Sequence, residues 1–376
     1  MIITRFHNIE KMEIEVEFLT PAFLGGADQN AELRSAPFKN LLRQWWRVAN
    51  CNSGLSAKEL LEQEGKLFGN VFKDKNAKEN SVASSVRLSI INPAVSYYKE
   101  KSLLFKTIGM PHPEVKNKFM PLEVYLGMGP VFFNSETKTN EYKRSAILPG
   151  SKCTLCLHYP KFKYSILETL ALIKEFGCIG SRSRNGWGSL DVKAPEIPPL
   201  PDKFACFDTV IADGKKYPHA LCSSNGNLLA WETLPQKDYV SAWHLLAQTY
   251  MQIRTQPVMK EFGDIAVKDK DKPEFLAHKH ASARHLLGYP ITHHKINDET
   301  WGENRNNFNL PKKIEGRLAS PLRLAIKKSG DGFVGRILHL PYSVHMNFPG
   351  NQQQVWQQIH RFLDTQQQFR RIGGGV

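Results

Sequence analysis

The sequence predicts an α+β chain of two domains, each built on a βαββαβ succession. Three observations carry that class. The hydrophobic pattern of the first half switches in order between a period of two and a period of 3.6. A proline-dense stretch, "APEIPPLPD" at 194–202, separates two segments of ordinary domain size. The second half repeats a helix, a hairpin and a helix.

"KMEIEVEFLTP" alternates Met12, Ile14, Val16 and Phe18 and predicts the first strand. After the glycine turn "LGGADQN", "SAPFKNLLRQWWRVAN" has helical spacing. Phe38, Leu41, Leu42, Trp45 and Ala49 fall on one face, and Ser35 and Pro37 suit a first turn. "LSAKELLEQEGKLFG" predicts a second short helix and "SVRLSIINPAV" a strand. Residues 96–147 form a long excursion without a clear pattern. "ILPGSKCTLCLHY" predicts a third strand and "SILETLALIKEFG" a helix on Ile166, Leu167, Leu170, Ile173 and Phe176. The glycine-rich loop "CIGSRSRNGWGSL" follows, and "GWGSLDVK" closes the domain as a strand. This succession is the ferredoxin-like, RRM-like pattern.

Past the boundary, "VSAWHLLAQTYMQI" predicts a helix, and residues 256–316 are polar and loop-rich. "RLASPLRLAIKK" and "GFVGRILHLPYS" flank "SGDG" as a hairpin, with Ser320-Pro321 at a bend or edge. "QQQVWQQIHRFLD" predicts a helix on Val355, Trp356, Ile359, Phe362 and Leu363, and the tail "FRRIGGGV" is expected to be loose. The expected domains are 1–200 and 201–376, the second a degraded copy of the ferredoxin-like pattern.

Charge narrows the partner. Lys and Arg number 50 against 36 Asp and Glu, a formal +14, which favours a polyanion and nucleic acid first. The opening residues lack the apolar core of a secretory signal, no stretch is long enough to span a bilayer, and six cysteines are sparse. A cytoplasmic chain without a membrane partner is expected. Cys153 and Cys156 form a CxxC, but in a strand residues three apart point to opposite faces. No metal or other cofactor is expected.

Candidate contacts with a phosphate backbone come from two places. In the first helix Lys39, Arg43 and Arg47 recur every four residues, a stripe spanning about 12 Å at 1.5 Å per residue. Arg34 precedes that helix, where free N–H groups suit a phosphate, although Glu32 competes for it. Trp46 lies between the faces and could stack on a base, whereas Trp45 belongs to the core. In the loop, Arg182 and Arg184 offer planar forks of donors, Ser181, Ser183 and Asn185 add neutral donors, and Gly180 permits close backbone approach. Trp187 is expected to pack. No GK[ST] follows, so the loop is not a Walker loop. Arg317 and Arg323 bracket "LASPL" and could meet RNA or a neighbouring subunit. His278, His280, His285, His293 and His294 cluster in the loop-rich region and form the case for catalysis; Asp264, Asp269 and Asp271 read as surface.

Several of these stretches, "LTPAFLGGADQNAELRSAPFKNLLRQWWR", "YLGMGP", "AILPGS", "GCIGSRSRNGWGSL" and "RLASPLRL", together resemble the RAMP superfamily of CRISPR effector proteins. More narrowly they resemble the first-numbered subunit family of the type III-B (Cmr) particle. The motifs run from residue 19 to residue 324. The resemblance implies two ferredoxin-like domains and a non-catalytic RNA-binding and assembly subunit in antiviral defence. Its implied partners are guide RNA near the 3′ region, target RNA and the other Cmr subunits. The family's loop usually opens with two glycines; here Gly177 and Cys178 stand in that place. A metal-independent endoribonuclease that processes guide RNA is the alternative within the superfamily.

Overall fold

The computed structural model describes residues 8–73, 79–105, 109–113, 119–161, 165–201, 204–212, 220–259, 283–288, 295–296, 299–300, 320–342 and 352–373. Strand β1 (Ile9–Phe18) buries Met12, Ile14, Val16 and Phe18 and exposes Lys11, Glu13 and Glu15. Helix α1 (Ser35–Ala49) places Phe38, Leu41, Leu42 and Trp45 against that sheet, and buries Trp46 and Val48 as well. Each such side chain taken from water contributes roughly 1.5–3 kcal/mol. Helix α2 (Ala57–Phe68) starts on a capping box in which Ser56 and Glu59 satisfy each other's backbone N–H groups.

With β2 (Arg87–Ala94), β3 (Lys152–Pro160), α3 (Ile166–Phe176) and β4 (Leu190–Lys193), the first half is a βαββαβ unit. Its strands lie in the order β4–β1–β3–β2, all neighbours antiparallel. Register puts Cys153 opposite Val16 on the buried side and Cys156 opposite Glu13 on the other, so the CxxC is split across the sheet.

The second sheet contains β5 (Ala230–Thr233), β6 (Leu322–Ser329), β7 (Gly332–His339) and β8 (Phe369–Arg371). Helix α4 (Tyr239–Ile253) follows β5, and α5 (Gln352–Asp364) precedes β8. The order is β6–β7–β5–β8, all neighbours antiparallel, and read from the β8 edge it corresponds to the order β4–β1–β3–β2 of the first sheet. β5 is buried at all four residues, so it shows no alternation, and β8 comes from the tail expected to be loose, paired with β5. β6 starts just after Pro321 and is an edge strand, as the proline requires.

The excursion is a packed element. A short helix, Leu122–Gly127, and a hairpin of Val131–Asn134 with Thr139–Tyr142 form part of it. The buried Glu123 carboxylate accepts the Leu104 and Phe105 N–H groups, each at 3.1 Å, and the Tyr142 hydroxyl. Tyr142 in turn meets Trp187 edge-on at 6.3 Å. Among the described residues, no helix is long and apolar enough to cross a membrane.

Candidate nucleic-acid interface

The segment between α3 and β4 is held from both sides. Gly180 has φ +93°, and a Cβ there would lie 2.6 Å from the Phe23 carbonyl oxygen, which accepts the Ser181 N–H at 3.0 Å. Gly188 is tighter still: a Cβ would come 2.0 Å from the Ile179 oxygen. Glycine is therefore required for the loop to fold onto itself and onto the β1–α1 connection. On its other side the Arg184 carbonyl accepts the Leu324 N–H of β6 at 2.8 Å. The Asn185 carbonyl accepts from the Trp243 indole of α4 at 2.9 Å, and its side-chain amide donates to the Leu126 carbonyl at 2.8 Å. Trp187 is fully buried between Phe23 and Trp243, with centroids 4.7 and 4.8 Å away. One short loop thus ties the two sheets and the excursion together.

That role corrects several sequence expectations. Asn185 is a joint: its backbone carbonyl and its side-chain NH2 are both bonded inside the protein. Trp46 is fully buried and packs edge-on against Phe68, so it offers no stacking platform. Arg43 and Arg47 are not an open phosphate track; both bind the carboxylate of Glu64 on α2, Arg47 also through a second bond of 2.8 Å. Glu64 is almost fully buried. Burial pushes its carboxyl up, but the hydrogen bonds and charges of Arg47 and Arg43 outweigh this and hold it below the usual range. Arg34 donates to the Gly25 carbonyl and lies 4.0 Å from Glu32, so it braces the turn before α1. Lys39 stays half-buried on the same helix, its ammonium pKa lowered by burial and by Arg43. Arg182 is exposed, with φ +60°, and its guanidinium flanks Gly129.

Arg184 is brought beside a residue from the other half of the chain, Arg323. The two are linked through the Arg184–Leu324 backbone bond. Both are half-buried. The Arg323 guanidinium lies 5.1 Å over the Trp45 ring. Burial, and then the charge of Arg184, push its pKa down to about 10. Burial also lowers that of Arg184. Both remain cationic at neutral pH. Among the described residues no carboxylate pairs with either, and the buried Arg184 Nε has no hydrogen-bond partner. Sequence reading named Arg323 without this neighbour, because 139 positions separate the two and only the fold joins them.

Next to the pair runs an open groove of about 320 Å³ between α1 and the loop. Asn40, Leu41 and Gln44 line it from the helix; Gly180, Ser181 and Ser183 line it from the loop. Sequence reading singled out neither Asn40 nor Gln44. The available signal was helical: with Pro37 and Leu41 they fall at i, i+3, i+4 and i+7.

Two other surfaces carry less. The open face of the first sheet, where an RRM stacks bases, presents Lys11, Glu13, Glu15 and Glu17 opposite His158, Cys156, Thr154 and Lys152. Several of its charges are paired, as in Lys11–Glu13 at 2.7 Å and Lys328–Glu17 at 2.8 Å. Among the described residues no His, Cys, Asp and Glu cluster could hold a metal ion. His278, His280, His293 and His294, the side chain of His285, Arg317, and Asp264, Asp269 and Asp271 lie outside the described residues.

Residues 15–191 match the model of the RAMP superfamily. No curated protein sequence matches the chain. Among solved structures the chain is similar to Cmr1 from Pyrococcus furiosus in its apo form, at 17% identity over 89% of each chain, with a TM-score of 0.45. It is also similar to a chain of the type III-B Cmr-beta assembly bound to cognate target RNA, at 13% identity over 94% of this chain and 99% of that one, with a TM-score of 0.44. A further Cmr-beta structure, with cognate target RNA and AMPPnP, gives 14% identity over 94% and 98%, with a TM-score of 0.43.

Proposed function

We propose, from the match of residues 15–191 to the RAMP superfamily model, that the chain is a non-catalytic RNA-binding subunit of a type III-B CRISPR effector particle. It acts in the cytoplasm, beside the other Cmr subunits, on guide RNA near its 3′ region, on target RNA, or on both. The observation that carries this is the Arg184–Arg323 pair. Two half-buried guanidinium groups that repel each other, with no carboxylate between them among the described residues, make a site that a phosphate completes. A phosphate carries no sequence information, so recognition is sequence-independent and guide–target pairing supplies the specificity.

The test is single-stranded RNA binding in EDTA across a salt series, for the natural chain and for Arg184→Ala/Arg323→Ala. Binding without cleavage is expected. The double variant should weaken it for every sequence, and the log–log salt slope should fall by about 0.7 for each phosphate that the variant no longer neutralises. An unchanged slope removes the pair from the RNA surface. Discrete shorter products in EDTA would favour the metal-independent endoribonuclease and direct attention to His278, His280, His285, His293 and His294.

A further inference from the structure

The groove beside the arginine pair has the wrong chemistry for a phosphate. None of its lining residues is charged. Its polar groups are the side chains of Asn40 and Gln44 on one wall and those of Ser181 and Ser183 on the other. Amides and hydroxyls both donate and accept. Leu41 and Phe23 add apolar side chains to the lining. Such a lining suits a neutral, partly apolar ligand carrying a group that itself donates and accepts. At about 320 Å³ the groove is near the lower end of small-ligand pockets, which run about 300–1,000 Å³.

The groove adjoins the arginine pair through neighbouring residues. Ser183 lines the groove and precedes Arg184. Cys178 lines it too, and its Sγ contacts the carbonyl of Leu324, the residue after Arg323, at 3.4 Å. A nucleotide whose phosphate lies on the pair therefore has its sugar within reach of the groove. In a single strand the sugar is where ribose and deoxyribose differ, by one hydroxyl that donates and accepts. Asn40 is exposed, and neither the Asn40 nor the Gln44 side chain has a hydrogen-bond partner among the described residues.

We infer that this groove holds the ribose of one nucleotide and that Asn40 and Gln44, with Ser181 and Ser183 opposite, read its 2′-hydroxyl, so that the site selects RNA over DNA. The inference rests on the proposed RNA-binding function and adds to it the sugar that the site demands.

The test uses the full chain and three labelled strands of one sequence: RNA, DNA and RNA fully 2′-O-methylated. Binding is read by fluorescence anisotropy at fixed salt. The natural chain should prefer RNA to DNA by about tenfold, the worth of about 1.4 kcal/mol in hydrogen bonds to one hydroxyl. The methylated strand should fall to the DNA level. Asn40→Ala/Gln44→Ala should lower RNA affinity to that of DNA, while leaving DNA affinity and the salt slope unchanged. Alanine favours the helix at both positions, and a thermal melt checks that the variant folds.

Equal affinity of the natural chain for RNA and DNA overturns the inference without any variant. So does a double variant that keeps the preference, or a preference that follows base identity and not the sugar. Arg184→Ala/Arg323→Ala separates the two levels. If it weakens RNA and DNA alike with a smaller slope while the groove variant does nothing, only the sugar assignment falls. If it changes nothing, the phosphate site falls. No binding of either strand at low salt overturns both.

Discussion

At the scale of single residues, the basic character of the chain says less than the partners of each cation. Lys39, Arg43 and Arg47 have the spacing of a phosphate track, yet Arg43 and Arg47 are occupied by Glu64. Spacing along one helix is the same whether the stripe faces solvent, a phosphate or a carboxylate on another helix, so the sequence did not separate these cases. Removing both arginines leaves Glu64 almost fully buried without its charges. Arg43→Ala/Arg47→Ala is therefore expected to destabilise the fold by about 3 kcal/mol, as urea midpoints will measure. The affinity of the folded fraction for RNA should stay within about twofold of the natural chain, since about 0.4 kcal/mol is the scale of a distant surface change. A large loss of affinity in a fully folded variant would restore the helix stripe to the RNA surface.

At the scale of elements, the glycine-rich loop was legible as a place where backbone passes close to something large. What it lies against was not legible. The sequence suggested an external anion; the structure shows the backbone of Phe23 and Ile179 at Gly180 and Gly188. Most of the frame was legible, because β1, α1, β3 and α3 are long enough to repeat their periods. β5 and β8, with four and three residues, are too short to do so. Asn40 and Gln44 escaped because neutral amides on a helix look like any solvated face. The loop's inward role gives an expectation of its own. At Gly188→Ala the new Cβ meets the Ile179 carbonyl and the residue keeps φ +65°, so a loss of about 2–4 kcal/mol is expected. Gly226 is the control: φ is +77°, but nothing lies within 4 Å of a Cβ, and alanine there should cost about 1 kcal/mol. Equal denaturation midpoints for the two variants would mean that the loop is not held where described.

At the scale of the whole molecule, the two sheets are joined by the loop that carries Arg184, and Arg323 reaches the pair from the second sheet. Bringing the halves together therefore also brings two like charges into a half-buried place. That arrangement opposes folding of the free protein and favours a bound polyanion, so stability and binding should respond with opposite signs. Arg323→Met keeps an apolar stem over Trp45 and removes the repulsion. Without RNA it is expected to raise stability, on the order of 1 kcal/mol, since replacing a buried charge by a hydrophobe of similar size is often stabilising. With RNA the order should reverse. The natural chain gains RT ln(1 + [L]/Kd), about 2.7 kcal/mol at a hundredfold excess over Kd, and the variant gains less because its Kd is larger. Melting both proteins with and without single-stranded RNA measures the four states directly. A variant that is less stable than the natural chain in the absence of RNA would show that Arg323 serves the fold through Trp45. The pair would then no longer be a charge site awaiting its anion.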